Sequence, residues 1–263
     1  MGATAYTKDL GDRLVVLNAN PAKRNVLSAE YYDVVKEAMK KASEESRICA
    51  VIMSAEGGYF CAGGDLSQLE NRQDSTLEYR VSRIDELHDV IRSITQCTKP
   101  VVAAIEGGAA GAGVSIAFAC DLLVASVQSA FTVAYVKAGL VPDGGLTHHL
   151  AQQLPRSLLM RMALLGEPVS AQTLFNAGAL NELAPAGDVM DNAMALVDLL
   201  AQGPTATQSA IKNLVNQAAS GDFEAQLNRE SRAMAEALGS DEAAEGMASF
   251  LEKRQPNFAR LRN

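Results

Sequence analysis

The chain has 263 residues, 48% of them hydrophobic, so it can bury a sizeable core as one large domain or two small ones. With no apolar run approaching the roughly 20 residues of a membrane span, and no apolar secretory region at the start, we expect a cytoplasmic protein. A formal charge of −8 argues against nucleic-acid binding. The four widely spaced cysteines predict buried reduced thiols, not a zinc site or disulfides.

Strand and helix patterns alternate through the first half of the chain. Residues 13–18 predict a strand, and Ser28 predicts the cap of an amphipathic helix with Glu30 in its first turn. Further segments follow in order: a strand over 49–54, a mobile polar surface segment over 68–76, a helix over 79–96, and strands over 100–105 and 121–125. This alternation indicates an α/β core with parallel strand pairing.

Helical patterns dominate after Leu146, where the strand signal nearly disappears. They cover residues 145–165, 170–176, 188–201, 205–219, 223–238 and 242–253. We therefore divide the chain into a β-containing body, residues 1–195, and a helical C-terminal region, residues 196–263.

Two glycine-rich segments, each after a predicted strand, point to chemistry. They are residues 60–66 (FCAGGDL) and 107–113 (GGAAGAG), and the second opens a small-residue helix over 114–119. A helix start offers free backbone N–H groups and the positive end of a dipole. Two such donors from different loops, aimed at one oxygen, form an oxyanion hole. The alternative is that the glycines only permit tight turns between strand and helix.

Together with residues 17–27 (LNANPAKRNVL) and 253–258 (KRQPNF), these segments resemble the crotonase (enoyl-CoA hydratase/isomerase) superfamily over nearly the whole chain. The pattern is most similar to ring-1,2-epoxyphenylacetyl-CoA isomerases and Δ3-Δ2-enoyl-CoA isomerases. The resemblance implies an α/β fold built as a spiral of β-β-α repeats, followed by a C-terminal helical trimerisation region. It also implies that the N–H groups of Gly64 and Ala112 form the oxyanion hole for a thioester enolate.

The resemblance implies a coenzyme A site as well. Lys23 and Arg24 match positions that contact the CoA phosphates, a role that suits a guanidinium group, and the alternative is that both are solvated turn residues. Ala62, Asp65 and Leu66 match the stretch along the adenine and the pantetheine. We expect no metal, and no cofactor beyond the CoA moiety of the substrate.

The acid–base positions argue against a hydratase. Hydratases of the family use two glutamates, and the matching positions here hold Ser115 and Tyr135. Neither side chain is a competent base near neutral pH without help, because each holds its proton too tightly.

Asp143 is the remaining carboxylate, and its segment resembles the Leu-x-Pro-Asp-x-Gly stretch of the isomerases. Its apolar neighbours Leu140, Val141 and Leu146 predict partial burial and a raised pKa. An isomerase needs one base, which takes a proton from C2 and returns it at C4. The alternative is that Asp143 caps a helix beginning at Gly145.

The sequence departs from the family pattern just after Asp143. Relatives read Pro-Asp-x-Gly-Gly-(Ser/Thr), whereas this chain reads PDGGLT over 142–147. Either Leu146 replaces a glycine, or one residue is lost and the helix start and the carboxylate are shifted. His148 and His149 follow, and one of them could enter the pocket as a proton shuttle.

These residues predict an acyl-CoA isomerase acting through a thioester enolate, with an acyl-CoA substrate and a homotrimer or dimer of trimers as partners. One alternative is a thioester hydrolase or dehalogenase-like enzyme with Asp143 as the nucleophile. A second is a non-catalytic acyl-CoA-binding homologue. An enoyl-CoA hydratase is disfavoured by Ser115 and Tyr135. Neither a nucleic acid nor a membrane is expected as a partner.

Overall fold

The computed structural model describes residues 3–219 and 221–262. Within these ranges the strands are β1 (Ala5–Asp9), β2 (Arg13–Asn18), β3 (Ala50–Ala55), β4 (Val101–Ile105), β5 (Gly108–Ala110), β6 (Leu122–Ser126), β7 (Ala130–Thr132), β8 (Pro168–Ser170) and β9 (Glu182–Ala184). The helices are α1 (Ala29–Glu44), α2 (Leu66–Glu70), α3 (Leu77–Gln96), α4 (Ala112–Ala119), α5 (Leu146–Gln153), α6 (Arg156–Leu165), α7 (Ala171–Asn176), α8 (Val189–Gln202), α9 (Thr205–Ala218), α10 (Phe223–Leu238) and α11 (Asp241–Leu251).

A six-stranded sheet in the order β1-β2-β3-β4-β6-β9 forms the centre of the molecule. Only β1 runs antiparallel to its neighbour, so the predicted α/β core with parallel pairing is confirmed. A second sheet joins β5, β7 and β8. The sequence patterns missed β1, β5, β7, β8 and β9, and with β5, β7 and β8 the small second sheet. Four of these strands have three residues and are too short to show a period of two.

Both faces of the large sheet are buried, because successive residues of a strand point to opposite sides. In β2, Leu14 and Val16 pack in the core that includes α1, α3 and α4, whereas Val15 and Leu17 pack in the core that includes α8. Helix α1 begins as predicted, since the Ser28 hydroxyl accepts a hydrogen bond from the Tyr31 N–H at 3.1 Å. The sheet and these helices hold the loops at the ends of β3 and β4 in place.

Two predicted boundaries are wrong. The single helix over 145–165 is divided into α5 and α6 at Pro155, which lacks an N–H and disfavours helical geometry at the preceding residue. The polar segment over 68–76 is partly helical, because the Asp65 carboxylate caps α2 by accepting from the Ser67 N–H at 3.1 Å.

The four cysteines are buried and free, as predicted. Among the described residues, no group of three or more His, Cys, Asp or Glu side chains is arranged to hold a metal ion. None of the helices within the described ranges is both long and apolar enough to cross a membrane.

Candidate active site

The two glycine-rich segments meet at the carboxyl ends of β3 and β4. The Ala110 N–H donates to the Cys61 carbonyl oxygen at 2.9 Å, and Cys61 forms a parallel bridge with Ala109. A Cβ added at Gly113, in the first turn of α4, would lie 2.4 Å from the Cys61 carbonyl oxygen. Close contact with the first loop therefore requires glycine at this position, and it holds the start of α4 against that loop.

The predicted oxyanion-hole donors lie on these two adjoining loops. Ala112 is the first residue of α4, and its cap residue Gly111 has a positive φ of 51°. A Cβ added at Gly63 would lie 3.0 Å from the Ala112 nitrogen, so the loop carrying Gly64 contacts the helix start. Across the described residues, neither the Gly64 N–H nor the Ala112 N–H has a protein acceptor. Both N–H groups are available to a ligand oxygen.

Asp143 lies against the same helix, in contact with both positions that would hold glutamates in a hydratase. The Tyr135 hydroxyl donates to the Asp143 carboxylate oxygen Oδ1 at 2.7 Å. The Ser115 hydroxyl donates to the Asp143 backbone oxygen at 3.0 Å and lies 3.2 Å from the Tyr135 hydroxyl. Since Ser115 follows Ala112 by one helical turn, α4 carries both a predicted oxyanion donor and a hydrogen bond to the Asp143 backbone.

Burial raises the pKa of the Asp143 carboxyl above its usual value, as predicted, and the Tyr135 hydrogen bond and the charge of His88 partly counter this effect. The predicted cause is only partly right. Leu146 is buried, but Leu140 is 44% exposed and Val141 is 81% exposed. The neighbouring Gly144 is instead buried between Ser115 of α4 and Leu87 of α3.

The prediction that Asp143 could cap the following helix is wrong. Helix α5 begins at Leu146, its cap residue is Gly145, and no side chain accepts from its first N–H groups. The Asp143 carboxylate contacts Tyr135 instead, and only the backbone oxygen of Asp143 accepts from the Leu146 N–H, at 3.3 Å. The carboxylate is therefore not used to begin α5.

The first part of the predicted CoA site is an ion pair across two loops. The Lys23 ammonium lies 3.1 Å from the Asp65 carboxylate, and 61% of the Lys23 side chain is exposed. Hydrogen bonds from Ser67 and the charge of Lys23 lower the pKa of Asp65. Leu66, the first residue of α2, is exposed beside this pair.

The second part is the Arg24 turn, which adjoins the first glycine loop. Arg24 has a left-handed φ of 51°, and its guanidinium carbon lies 4.1 Å from the centre of the Tyr59 ring. The Arg24 carbonyl oxygen accepts from the Ala62 N–H at 3.0 Å. The structure thus brings together the residues predicted to bind CoA, from two segments about 40 residues apart in the chain.

Buried Asn25, which the sequence analysis did not single out, fixes this turn. Its amide nitrogen donates to the carbonyl oxygens of Glu56 at 2.7 Å and Tyr59 at 2.6 Å, and its amide oxygen accepts from the Asn20 N–H at 2.8 Å. Asn25 also has a φ of 56°, a conformation that asparagine tolerates better than most residues. It joins the Lys23–Arg24 turn to the loop that leads to Gly64.

Comparison with known proteins bears directly on this arrangement. A family model described as enoyl-CoA hydratase/isomerase matches residues 14–261. The chain belongs to the enoyl-CoA hydratase/isomerase family. The resemblance read from the motifs is thereby confirmed.

Relatives in this family carry both reaction names. The enoyl-CoA hydratase EchA19 of Mycobacterium tuberculosis is 32% identical over 98% of this chain and 97% of its own length. The 1,2-epoxyphenylacetyl-CoA isomerase of Escherichia coli is 31% identical over 90% of this chain and 91% of its own. A crystal structure of an enoyl-CoA hydratase from Polaromonas sp. JS666 matches with a TM-score of 0.92 and 38% identity, covering 96% of this chain and 98% of that one. The chain is an enzyme of the hydratase/isomerase family, and its own site residues bear on which reaction it performs.

Neither of the histidines singled out after Asp143 contacts the carboxylate in the part of the chain that the structure describes. His148 is exposed, and its Nε2 lies 2.7 Å from the Gln152 amide nitrogen. His149 packs beside Gly145, and its pKa is lowered mainly by burial. The structure gives no support to either of them as a proton shuttle.

His88 of α3 is the functional candidate that sequence reasoning missed. It lies close enough for its positive charge to lower the pKa of Asp143, and its Nδ1 is 3.3 Å from the partly exposed carboxylate of Asp85. Its position in the sequence gave one signal. His88 is a titratable residue that follows Ile84 by one helical turn, on the helix face that carries several apolar residues. The chain thus has Ser115 and Tyr135 at the positions matching the two glutamates, and Asp143 as a carboxylate within range of the charge of His88.

A groove of about 420 Å³ runs between α2, α3 and the turn at 138–140. Its apolar wall is formed by Leu66, Leu69, Ile84, Ala138 and Leu140. Two of these residues are close in sequence to the predicted site residues, since Leu66 follows Gly64 by two residues and Leu140 precedes Asp143 by three. The rest of the lining is polar and consists of Glu70, Arg72, Gln73 and Arg80, so the groove is apolar on one side only.

Proposed function

We propose that this enzyme is an acyl-CoA isomerase that moves a double bond, or opens a strained ring, through a thioester enolate. Asp143 is the single acid/base, and the N–H groups of Gly64 and Ala112 bind the enolate oxygen. The observation that carries the proposal is half-buried Asp143, whose carboxyl has a raised pKa and whose backbone oxygen accepts from Ser115 on the helix that begins with Ala112. A carboxylate with this environment is suited to take and return protons near neutral pH.

The charge distribution explains how such a reaction proceeds. Asp143 takes the proton from C2, and the electrons move into the thioester carbonyl, whose oxygen becomes negative beside the two N–H groups. The neutral Asp143 carboxyl then donates a proton to C4, either the one taken from C2 or one exchanged with solvent, which moves the double bond and restores the thioester. Neither step requires a second carboxylate or a bound water.

Tyr135 disfavours the hydratase alternative. Burial raises the pKa of its hydroxyl well above the usual value, and the charge of Asp143 adds to this effect. The hydroxyl therefore keeps its proton and donates a hydrogen bond to Asp143, so it does not activate a water molecule as a general base.

The CoA moiety is proposed to bind along Lys23, Arg24, Ala62, Asp65 and Leu66. The exposed Lys23 ammonium and the Arg24 guanidinium supply positive charge near the first glycine loop, where phosphates need it. No cofactor other than this part of the substrate enters the proposal.

Arg24→Ala is expected to raise the Kd for an acyl-CoA roughly tenfold, because one charge-assisted hydrogen bond to a phosphate is lost. Isothermal titration calorimetry with a non-reactive acyl-CoA measures the change. Arg92→Ala, which removes an arginine paired with Asp89 on the surface of α3, is the control and should leave Kd unchanged. An unchanged Kd in Arg24→Ala would indicate that Arg24 is a solvated turn residue and does not bind the CoA phosphates.

We also propose a homotrimer or a dimer of trimers in the cytoplasm. The C-terminal helices α9 to α11 bury few of their own apolar residues, and large exposed side chains on them include Val215, Phe223, Met234, Phe250 and Leu251. Such patches mark interaction surfaces in soluble proteins.

The test is the fate of 3-enoyl-CoA and simple acyl-CoA esters in deuterated water. Deuterium entry at C2 with formation of 2-enoyl-CoA and an intact thioester supports the isomerase. Release of free CoA from these esters, or of halide from a haloacyl-CoA, would favour Asp143 as a nucleophile, and formation of 3-hydroxyacyl-CoA would establish a hydratase. Tight CoA binding with none of these products would favour the non-catalytic homologue.

A further inference from the structure

We infer that Tyr135 is a positioning residue, which holds the Asp143 oxygen Oδ1 and leaves Oδ2 as the one oxygen that carries the proton. The inference rests on the proposed role of Asp143 as the acid/base. It gives a function to a tyrosine at a position where a hydratase of the family has a glutamate.

The hydrogen-bond arrangement fixes the direction of the Tyr135 proton. Ser115 has one hydroxyl proton, and it is donated to the Asp143 backbone oxygen at 3.0 Å. The Tyr135 hydroxyl lies 2.7 Å from Asp143 Oδ1, and a carboxylate can only accept. Tyr135 is therefore the donor, and its ring is buried, which limits alternative positions of the hydroxyl.

The aspartate is held at two points of the residue. Ser115 of α4 binds its backbone oxygen, and Tyr135, in the turn at 134–138, binds its carboxylate. Rotation of the carboxylate would break the Tyr135 bond and leave that buried hydroxyl with only its longer contact to Ser115, at 3.2 Å. Across the described part of the chain Oδ2 has no hydrogen-bond partner on another residue, so this one oxygen, held in one orientation, must serve both C2 and C4 from the same face of the substrate.

Two titratable side chains change the pKa of Asp143, and the charge of Asp143 changes the pKa of a third. Tyr135 lowers its pKa by hydrogen bonding, and His88 of α3 lowers it by positive charge. Tyr32 of α1 lies near enough that the charge of Asp143 contributes to its own raised pKa, but Tyr32 makes no hydrogen bond to Asp143 among the described residues. Tyr32 thus provides a matched tyrosine without the contact.

The test is the titration of the Asp143 carboxyl by NMR of protein labelled with ¹³C at the aspartate carboxyl carbon, assigned with Asp143→Asn. In Tyr135→Phe the titration of Asp143 is expected to move to higher pH, because a donor to the ionised form is lost. Tyr32→Phe removes the same atom nearby and should leave the titration unchanged. Because His88 also carries charge beside Asp143, both comparisons are repeated in the His88→Gln background.

A second substitution perturbs the same bond in the opposite direction with almost no change in shape. With 3-fluorotyrosine at position 135 the hydroxyl is a stronger donor, so the Asp143 titration should move to lower pH. This variant also covers the case in which Tyr135→Phe does not fold. The inference is overturned if neither change at position 135 moves the titration, or if Tyr32→Phe moves it as far.

Activity supplies an independent measurement. If the isomerase proposal holds, the acidic limb of the pH profile of kcat/KM moves to higher pH in Tyr135→Phe, by as much as the NMR titration does. At pH values where activity no longer depends on pH, kcat falls about tenfold. A merely structural role would lower kcat at every pH and leave the limb in place. The NMR titration requires no turnover, so it decides the role of Tyr135 even if no isomerase activity is found.

Discussion

Asp143→Asn is expected to lower the rates of C2 proton exchange and double-bond migration by roughly 10²- to 10⁴-fold, the usual contribution of a general acid/base. The amide cannot accept the C2 proton, but it has nearly the shape of the carboxylate. The Tyr135 hydroxyl can still donate to the amide oxygen, and the Ser115 bond goes to the backbone. Because these contacts are kept, we expect Kd for acyl-CoA to change less than about twofold.

The pH dependence gives this prediction a second readout. Asp143 must be ionised to take a proton, and burial raises its pKa. Activity should therefore fall as pH decreases through that raised pKa, at a higher pH than an ordinary aspartate would give. Rate measurements across pH at saturating substrate locate this limb in the wild type.

As pH rises, the activity of the wild type should increase while its free energy of unfolding decreases. A carboxyl whose pKa is raised in the folded state binds its proton more tightly there than in the unfolded chain, so the wild type loses stability as pH rises through the two pKa values. Asp143→Asn has no charge to bury and should escape this loss. Urea unfolding of both proteins at several pH values should show the advantage of the variant growing toward neutral pH, a gain of stability at the expense of function.

Exchange that survives in Asp143→Asn would require another base. His88 is then the next residue to replace, since it lies beside Asp143, whereas His148 and His149 contact other groups. If the variant instead loses an activity that releases free CoA, Asp143 is a nucleophile. The identity of the product separates these outcomes.

The sequence predicted what depends on local pattern. The strand before each glycine segment, the helix after Ser28 and the alternation that leads to a parallel sheet all follow from periodicity and capping. Family motifs then located Gly64, Ala112 and Asp143. Short strands such as β8 escaped because three residues show no period, and the break at Pro155 escaped because the apolar pattern continues on both sides of it.

What the sequence could not predict are contacts between distant segments. In the sequence, Ser115 and Tyr135 were notable only because they stand where hydratases have glutamates. Nothing local indicates that their hydroxyls contact Asp143, which lies 28 residues after Ser115 and 8 residues after Tyr135. The charge of His88 and the anchoring of the Arg24 turn by Asn25 likewise depend on packing between elements. Side-chain networks of this kind depend on tertiary structure, so they can be identified only from the three-dimensional structure.

Gly63→Ala is expected to lower kcat by roughly 10²- to 10³-fold, the effect of losing one oxyanion-hole donor. An alanine Cβ at this position would lie 2.7 Å from the Ala110 carbonyl oxygen and 3.0 Å from the Ala112 nitrogen, both of them backbone atoms. The first loop must then separate from the start of α4. The N–H groups of Gly64 and Ala112 would no longer converge on one oxygen, and the enolate would lose part of its stabilisation.

Gly58→Ala is the matched control, because it separates backbone strain from steric displacement. Gly58 has a φ of +74° and Gly63 a φ of +87°, so an alanine at either site is strained by about 1–2 kcal/mol. Nothing lies within 4 Å of a Cβ at Gly58. Both variants should therefore lose stability in urea unfolding, Gly63→Ala by more because of its backbone clashes, but only Gly63→Ala should lose kcat. An equal loss of kcat in the two would mean that strain in the loop, and not the convergence of two N–H groups, limits the reaction.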